Sequence, residues 1–243
     1  MKHKLRIASR SSNLALKQVD IFKERTEGFF NFEIIKIKTK ADKRLNDPLY
    51  KIGGKGLFVK ELEKYLLEDK ADVAVHSLKD METELAVGTF IGAVMPRESR
   101  NDVLFSNYPD LFSLPENAII GTSSPRRTAF LRAFRKDFNI EMCRGNIETR
   151  IRKFFNNSFD ALILAEAGLK RLQINYSNVI SLEILPPPAG QGVIAIQCVD
   201  TPKNNKINHI ISSINDEKTF NEIISERSLV KNLNGSCRSP ISS

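Results

Sequence analysis

The chain has 243 residues, of which 41% are hydrophobic and 27% charged, and its formal net charge at pH 7 is +8. This length and composition predict a folded chain with a sizeable core, without a disordered arm and without the roughly 18-residue apolar run that a membrane helix needs. The positive charge favours an anionic partner, but the sequence has no zinc finger, no RNP-type motif and no Trp, so we expect no nucleic-acid partner.

The first third of the chain alternates strands and helices. A cap at Ser11 or Ser12 and apolar residues at helical spacing predict a helix that stops near Gly28. A polar loop is expected over 40–56, followed by a helix whose apolar face begins at Phe58. Short, mostly apolar runs predict strands at 5–9, 32–38 and 72–76.

The same order returns later, with a helix after GTSSPRR (121–127), a strand at 138–143, a helix after Arg144 and a strand at 160–165. This internal echo predicts two βα lobes with a ligand site outside the carboxyl ends of their strands. PPPAGQG (186–192) then predicts a hinge-like crossing, and 193–198 predicts a strand that returns to a sheet. One amphipathic helix is expected over 216–233, with Leu233 on its apolar side.

Two polar segments sit where such folds place ligands. Lys79 and Asp80 follow the third strand, where an ammonium can hold an acidic substrate and a carboxylate can stabilise a cation and handle a proton. Arg126 and Arg127 begin a helix, whose free N–H groups and planar guanidinium donors suit carboxylates. The alternative is a solvated polar turn for the first segment and a solvated helix start for the second, neither with a ligand.

The Gly-rich stretch GGKG (53–56) lacks the GxxxxGK[ST] pattern of a phosphate loop. We interpret it as a lid that carries Lys55 and Phe58 toward the cleft.

The three cysteines are too scattered for a disulfide framework or a metal site, and we expect no metal and a cytoplasmic location. Cys143 and Cys198 fall in predicted apolar strands, where thiols are usually inert. Cys237 differs because Lys231 and Arg238 would favour its nucleophilic thiolate, although a cysteine near a terminus is often incidental.

Eight ordered motifs resemble the porphobilinogen deaminase family, also called hydroxymethylbilane synthases, from residue 5 to the end of the chain. The motifs are IASRSSNLAL, KIGGKGLFVKELE, ADVAVHSLKD, GTSSPRR, RGNIETR, DALILAEAGLKRL, PPAGQG and ERSLVKNLNGSC. The resemblance implies an α/β fold with two periplasmic-binding-protein-like (type II) lobes and a small C-terminal α+β domain, here truncated. The domains would span 1–97 plus 191–212, 98–190, and 213–243.

The resemblance also implies a transferase of tetrapyrrole (haem) biosynthesis. Such an enzyme joins four porphobilinogen molecules head to tail with loss of ammonia and releases hydroxymethylbilane by hydrolysis. Its primer is a dipyrromethane cofactor, held through a thioether that falls on Cys237 in this sequence, and Asp80 matches the catalytic aspartate. We expect a monomer.

Positions in the motifs assign the remaining site residues. Those expected to bind the cofactor, beside the covalent Cys237, are Lys79, Asp80, Thr122, Ser123, Ser124, Arg126, Arg127, Arg144 and Gln191. Those expected to bind substrate are Arg10, Ser12, Lys55, Phe58, Ser77, Arg144, Arg150 and Arg171.

The sequence departs from the family pattern at several points. Pro125 stands where Leu or Val is usual, Ser236 replaces a Gly before the cysteine, and Ala41 replaces a common Gly. The chain stops six residues after Cys237, where family members continue. Two alternatives therefore stay open: an inactive or fragmentary two-lobed binder of acidic small molecules, and a nucleic-acid binder that exploits the net charge.

Overall fold

The structure is a computed structural model that describes residues 3–39, 56, 59–176, 178–236 and 239–243. Three predicted site residues, Lys55, Phe58 and Cys237, lie outside the described residues, as does nearly all of the predicted loop over 40–56.

Strands and helices alternate along most of the chain. Seventeen elements in the described part follow in this order: β1 His3–Arg10, α1 Asn13–Arg25, β2 Phe30–Ile37, α2 Lys60–Leu67, β3 Val73–Ser77, β4 Thr89–Val94, β5 Asp102–Ser106, β6 Ile119–Gly121, α3 Pro125–Phe134, β7 Asn139–Glu141, α4 Ile147–Phe155, β8 Ala161–Ala165, α5 Glu166–Arg171, β9 Asn178–Val179, β10 Ile194–Val199, α6 Asn205–Ser213 and α7 Glu217–Asn232. Short 3₁₀ turns occupy Leu78–Asp80 and Pro202–Asn204.

The strands form two five-stranded sheets of the same construction. The first has the order β2-β1-β3-β10-β4 and the second β7-β6-β8-β5-β9. In each sheet three neighbouring strands run parallel and the fourth runs antiparallel to them. The predicted repetition of a βα lobe is therefore confirmed, and so is the return of the chain to the first sheet through β10.

Polar caps start the helices that border the space between the sheets. The Ser12 side chain accepts a hydrogen bond from the Ala15 N–H at the start of α1, and Ser124 accepts one from Arg127 at the start of α3. Pro125 occupies the first turn of α3, where no N–H is needed, so this departure from the family pattern fits the helix. Asn146 caps α4 in the same way.

Each sheet buries its own apolar core. Leu5, Phe22 and Ile196 belong to the core of the first sheet, and Ile120 and Leu131 to that of the second. Strands β3, β8 and β10 are almost fully buried, which explains their continuous apolar sequence.

Helix α7 packs on the first lobe. Its Ile223 lies in a cluster with Leu78 and Val94, and the Asp216 N–H donates to the Val94 carbonyl. The prediction that Leu233 belongs to the apolar side was wrong, because its side chain is 57% exposed just beyond the last turn of α7.

The strand predicted over 138–143 is shorter than expected. Strand β7 ends at Glu141, so Cys143 lies in the following loop and not in a strand. It is nevertheless fully buried, as is Cys198 in β10. Burial raises the pKa of both thiols, that of Cys198 to about 12, so the expectation of core cysteines is confirmed. Within the described ranges, no helix is long and apolar enough to cross a membrane.

Candidate functional site

A cavity of about 350 Å³ lies between the two lobes. The first lobe contributes the start of α1 and the turn after β3, and the second contributes the starts of α3, α4 and α5. The crossing segment, which spans 186–193 in the structure, forms a third wall through its residues 188–193. The cavity therefore lies at the carboxyl ends of the parallel strands, as predicted.

The cavity wall is strongly cationic. Eight of the described residues that line it are Lys or Arg, and one, Asp80, is acidic. This imbalance creates a positive potential that favours an anionic ligand. The basic residues are Arg10, Lys79, Arg126, Arg127, Arg144, Arg150, Arg171 and Arg227.

Lys79 and Asp80 are held by the 3₁₀ turn that ends β3. The Leu78 N–H donates to the Val193 carbonyl, which ties this turn to the crossing segment. The Lys79 ammonium donates to the Gln191 side-chain oxygen at 3.2 Å. Burial, reinforced by Arg127, lowers the pKa of Lys79 to about 8, although Asp80 opposes the shift. Lys79 is therefore a cation near neutrality that loses its charge at mildly alkaline pH.

Arg126 and Arg127 share one buried carboxylate. Asp102, at the start of β5, accepts from Arg126 at 2.6 Å through Oδ2 and from the terminal nitrogen of Arg127 at 2.6 Å through Oδ1. The side-chain exposures of Asp102, Arg126 and Arg127 are 0%, 3% and 7%. Burial alone would raise the pKa of Asp102, but the two arginines outweigh it and lower the value to about 2. Both arginines are thus fixed before any ligand binds.

Arg150 and Arg171 lie half-buried in the wall of the second lobe. Arg150 Nε donates to the Gly145 carbonyl at 2.8 Å, and Arg171 donates to the Gly192 carbonyl at 2.6 Å. Burial lowers the pKa of each guanidinium to about 10, so both remain charged at pH 7. Each keeps further N–H donors with which it can bind a carboxylate.

The predicted hydroxyl residues divide into two groups. Ser12, Ser77, Ser123 and Ser124 line the cavity, whereas Thr122 does not. Thr122 is buried behind the turn, where its hydroxyl accepts from the Ser124 N–H at 3.2 Å. The structure therefore brings together every described residue of the predicted site except Thr122, which supports the turn from behind.

Three residues in or directly behind the cavity wall were not predicted from the sequence. Asp102 is buried behind the wall and belongs to none of the motifs, and only its place at the start of an apolar strand distinguishes it in the sequence. Gln18 pairs with the Ser77 hydroxyl at 2.8 Å, and Arg227 reaches the cavity from α7 while donating to the Glu82 carbonyl at 2.6 Å.

The residues that flank Cys237 line the same cavity. Ser236 and Ser239 are both in its wall, and the backbone N–H of Ser239 donates to the carbonyl of Ser236 at 2.9 Å. Farther along, the Ser242 hydroxyl donates to the Pro186 carbonyl at 3.0 Å. The end of the chain is thereby attached to the crossing segment.

Fold and site define a two-lobed α/β protein with a cationic cleft suited to an acidic small molecule. A solved structure, a putative lipoprotein from Actinomyces odontolyticus, matches the fold with a TM-score of 0.52 and 13% identity, covering 96% of each chain. The family model "Porphobilinogen deaminase, dipyromethane cofactor binding domain" matches residues 5–207. The chain belongs to the porphobilinogen deaminase family, and its lobes are of the type II periplasmic-binding-protein kind.

Two relatives named porphobilinogen deaminase show the extent of the similarity. The protein of Nitratiruptor sp. is 45% identical over 98% of this chain and 77% of its own length. The protein of Maridesulfovibrio salexigens is 42% identical over 98% of this chain and 79% of its own length.

Proposed function

We propose that this chain is a hydroxymethylbilane synthase, a transferase that joins four porphobilinogen molecules head to tail. Each addition releases ammonia, and hydrolysis finally releases the linear tetrapyrrole. The observation that carries the proposal is the position of one carboxylate, that of Asp80, among eight Lys and Arg side chains in the part of the cleft wall that the structure describes. Pyrroles with acetate and propionate groups require such cations, and a departing amine leaves a positive charge that a nearby carboxylate can stabilise.

The residues of the cleft fit a dipyrromethane cofactor. The Nε–H group of Arg126 is buried in the wall and has no acceptor among the described residues, so a ligand carboxylate would satisfy it. We assign covalent attachment to Cys237, because Ser236 and Ser239, the nearest described residues before and after it, line the cleft. Carboxylate contacts fall to Lys79, Ser123, Ser124, Arg126, Arg127 and Arg144, with Gln191 and Thr122 supporting them and Asp80 facing the pyrroles. When bound, the cofactor supplies the pyrrole carbon from which the product grows.

Asp80 is the proposed catalytic residue. It lies in the 3₁₀ turn that follows β3 and is hydrogen-bonded to the crossing segment, and its charge raises the pKa of Arg150 against the effect of burial. In this position the carboxylate can accept hydrogen bonds from the pyrrole N–H of porphobilinogen. It then stabilises the cation that forms as the C–N bond breaks and ammonia leaves.

The arginines around Asp80 are proposed to bind the substrate carboxylates. Arg150, Arg171 and Arg144 would do so from the second lobe, and Arg10, Ser12 and Ser77 from the first. Lys55 and Phe58 remain proposed contacts of a lid. Fixed arginines spare the cost of ordering long side chains when the ligand binds.

We further propose domains at 1–97 plus 191–212, 98–190, and 213–243, since β10 joins the first sheet although it follows the second in sequence. A cytoplasmic monomer without a nucleic-acid partner is the expected working form.

The test is to supply porphobilinogen to the purified chain and to measure released ammonia and hydroxymethylbilane. The proposal predicts both products, and predicts that Asp80→Asn lowers the rate by roughly 10²- to 10⁴-fold. Asp20→Asn is the matched control, because Asp20 lies on the outer side of α1 and pairs only loosely with Lys23 at 3.5 Å. Tight uptake of porphobilinogen without any ammonia would instead indicate an inactive binder.

A further inference from the structure

The side-chain amide of Gln191 lies between a carboxylate of one lobe and an ammonium of the other. Its Nε2 donates to Asp102 Oδ1 at 3.0 Å and to the Arg100 carbonyl at 2.6 Å. Its Oε1 accepts from Lys79 Nζ at 3.2 Å. Because the residue is 1% exposed, these bonds do not compete with bulk water.

The same carboxylate organises the start of α3. Asp102 accepts from Arg126 through Oδ2 and from Arg127 through both oxygens. One buried anion therefore contacts two cations directly and a third through one amide. Without that anion, three like charges from two lobes would repel one another across the floor of the cleft.

We infer that Asp102 and Gln191 are positioning residues, which fix Lys79, Arg126 and Arg127 in one arrangement and keep the Lys79 ammonium charged for the carboxylates of the ligand. The inference rests on the proposed function for the identity of that ligand. The link between Asp102 and Lys79 itself is a property of the chain and can be measured without turnover.

The charges that face Lys79 determine in which direction its pKa shifts when Asp102 is replaced. Arg127 and Arg126, from α3, add to the effect of burial and lower the pKa of Lys79, whereas Asp80 on its own turn and Asp102 on β5 raise it. Removing the charge of Asp102 removes one of the two opposing influences. The pKa of Lys79 must then fall further below its present value of about 8.

The experiment is a titration of Lys79 in the full chain. Acetic anhydride labels only the neutral amine, and peptide mass spectrometry then gives the labelled fraction of Lys79 at each pH. We expect a midpoint near pH 8 in the unmodified chain. In Asp102→Asn we expect a midpoint lower by about 0.5 to 1 pH unit, because the two groups are joined through an intervening amide.

The matched control is Asp72→Asn. Asp72 is also a buried carboxylate, and it pairs with Arg6 at 2.7 Å, but it does not line the cleft. This variant loses a similar ion pair and should leave the Lys79 midpoint unchanged. An equal shift in both variants would show a general loosening of the structure and would overturn the inference.

A second variant covers the case in which Asp102→Asn does not fold, as judged by circular dichroism. Gln191→Leu keeps both arginine pairs but removes the hydrogen bond to the charged form of Lys79, so it too should lower the midpoint. An unchanged midpoint in the folded variants would refute the link. A shifted midpoint in a chain that makes no hydroxymethylbilane would refute the proposed function and leave the positioning role standing.

Discussion

A methyl group added at Gly192 would strike the backbone that joins the two lobes. A Cβ at this position would lie 2.2 Å from the Glu98 carbonyl oxygen and 2.7 Å from that of Ser99. Gly192 also has φ +84°, a conformation that side chains disfavour. Its own carbonyl accepts from the Glu98 N–H at 3.1 Å and from Arg171 at 2.6 Å, so any shift also disturbs the cleft wall.

The cost of Gly192→Ala has two parts. The left-handed backbone costs about 1 to 2 kcal/mol with a Cβ present. Overpacking against backbone atoms, which cannot rotate away, adds about 1 to 3 kcal/mol. We therefore expect Gly192→Ala to lower the free energy of unfolding by about 2 to 5 kcal/mol.

Gly28→Ala separates these two contributions. Gly28 has φ +101°, but a Cβ there would meet nothing within 4 Å, so only the backbone cost of about 1 to 2 kcal/mol applies. Urea unfolding followed by circular dichroism measures both variants. If Gly192→Ala proves no more destabilising than Gly28→Ala, the packing of the crossing against Glu98 is not as described, and the reasoning fails.

Two further predictions concern charge. The depressed pKa of Asp102, about 2 against an ordinary 3.8, means that its contribution to stability is present above pH 4 and is lost as the pH falls toward 2. The stability of Asp102→Asn, measured by thermal unfolding, should therefore depend less on pH between pH 5 and 2 than that of the chain without substitutions. An equal pH dependence would contradict the ion-pair assignment. Arg150→Gln should raise the KM for porphobilinogen roughly 10- to 100-fold, because it removes a charged hydrogen bond to the substrate. Arg152→Gln, on the exposed side of the same helix, is the control and should leave the KM unchanged. Equal KM values in the two variants would show that Arg150 does not bind the substrate.

Local patterns in the sequence predicted most of the fold because they report local physics. Apolar runs and capped amphipathic segments predicted six of the ten strands and five of the seven helices in the described residues, but not β4, β5, β6, β9, α5 or α6. The echo between 61–80 and 150–170 predicted two lobes of one construction. The strand expected over 138–143 was too long because apolar Met142 and Cys143 continue the pattern past the last pairing at Glu141. Leu233 was misplaced because helical periodicity does not show where the neighbouring surface ends.

The site was predictable where it follows strand and helix ends. Lys79, Asp80 and the arginines of α3 come together because parallel strands deliver their carboxyl ends to one edge. The partner of those arginines was not predictable, since Asp102 is 24 positions from Arg126 and meets it only through the pairing of β5 with β8 and the packing of α3. Thr122 belongs to the GTSSPRR motif, but its side chain is buried behind the turn and does not line the cavity.

The most direct test of the central claim is the intact mass of the chain after incubation with porphobilinogen, compared with Cys237→Ala, Cys143→Ala and Cys198→Ala. Attachment of a dipyrromethane at Cys237 predicts that the mass of the chain without substitutions increases by two pyrrole units. Among the three variants, only Cys237→Ala should lack this increase. The variants of the two buried cysteines should keep it, because the thiols that they lose are enclosed and have raised pKa values. A mass increase that persists in Cys237→Ala, or that never forms in the chain without substitutions, would contradict the account.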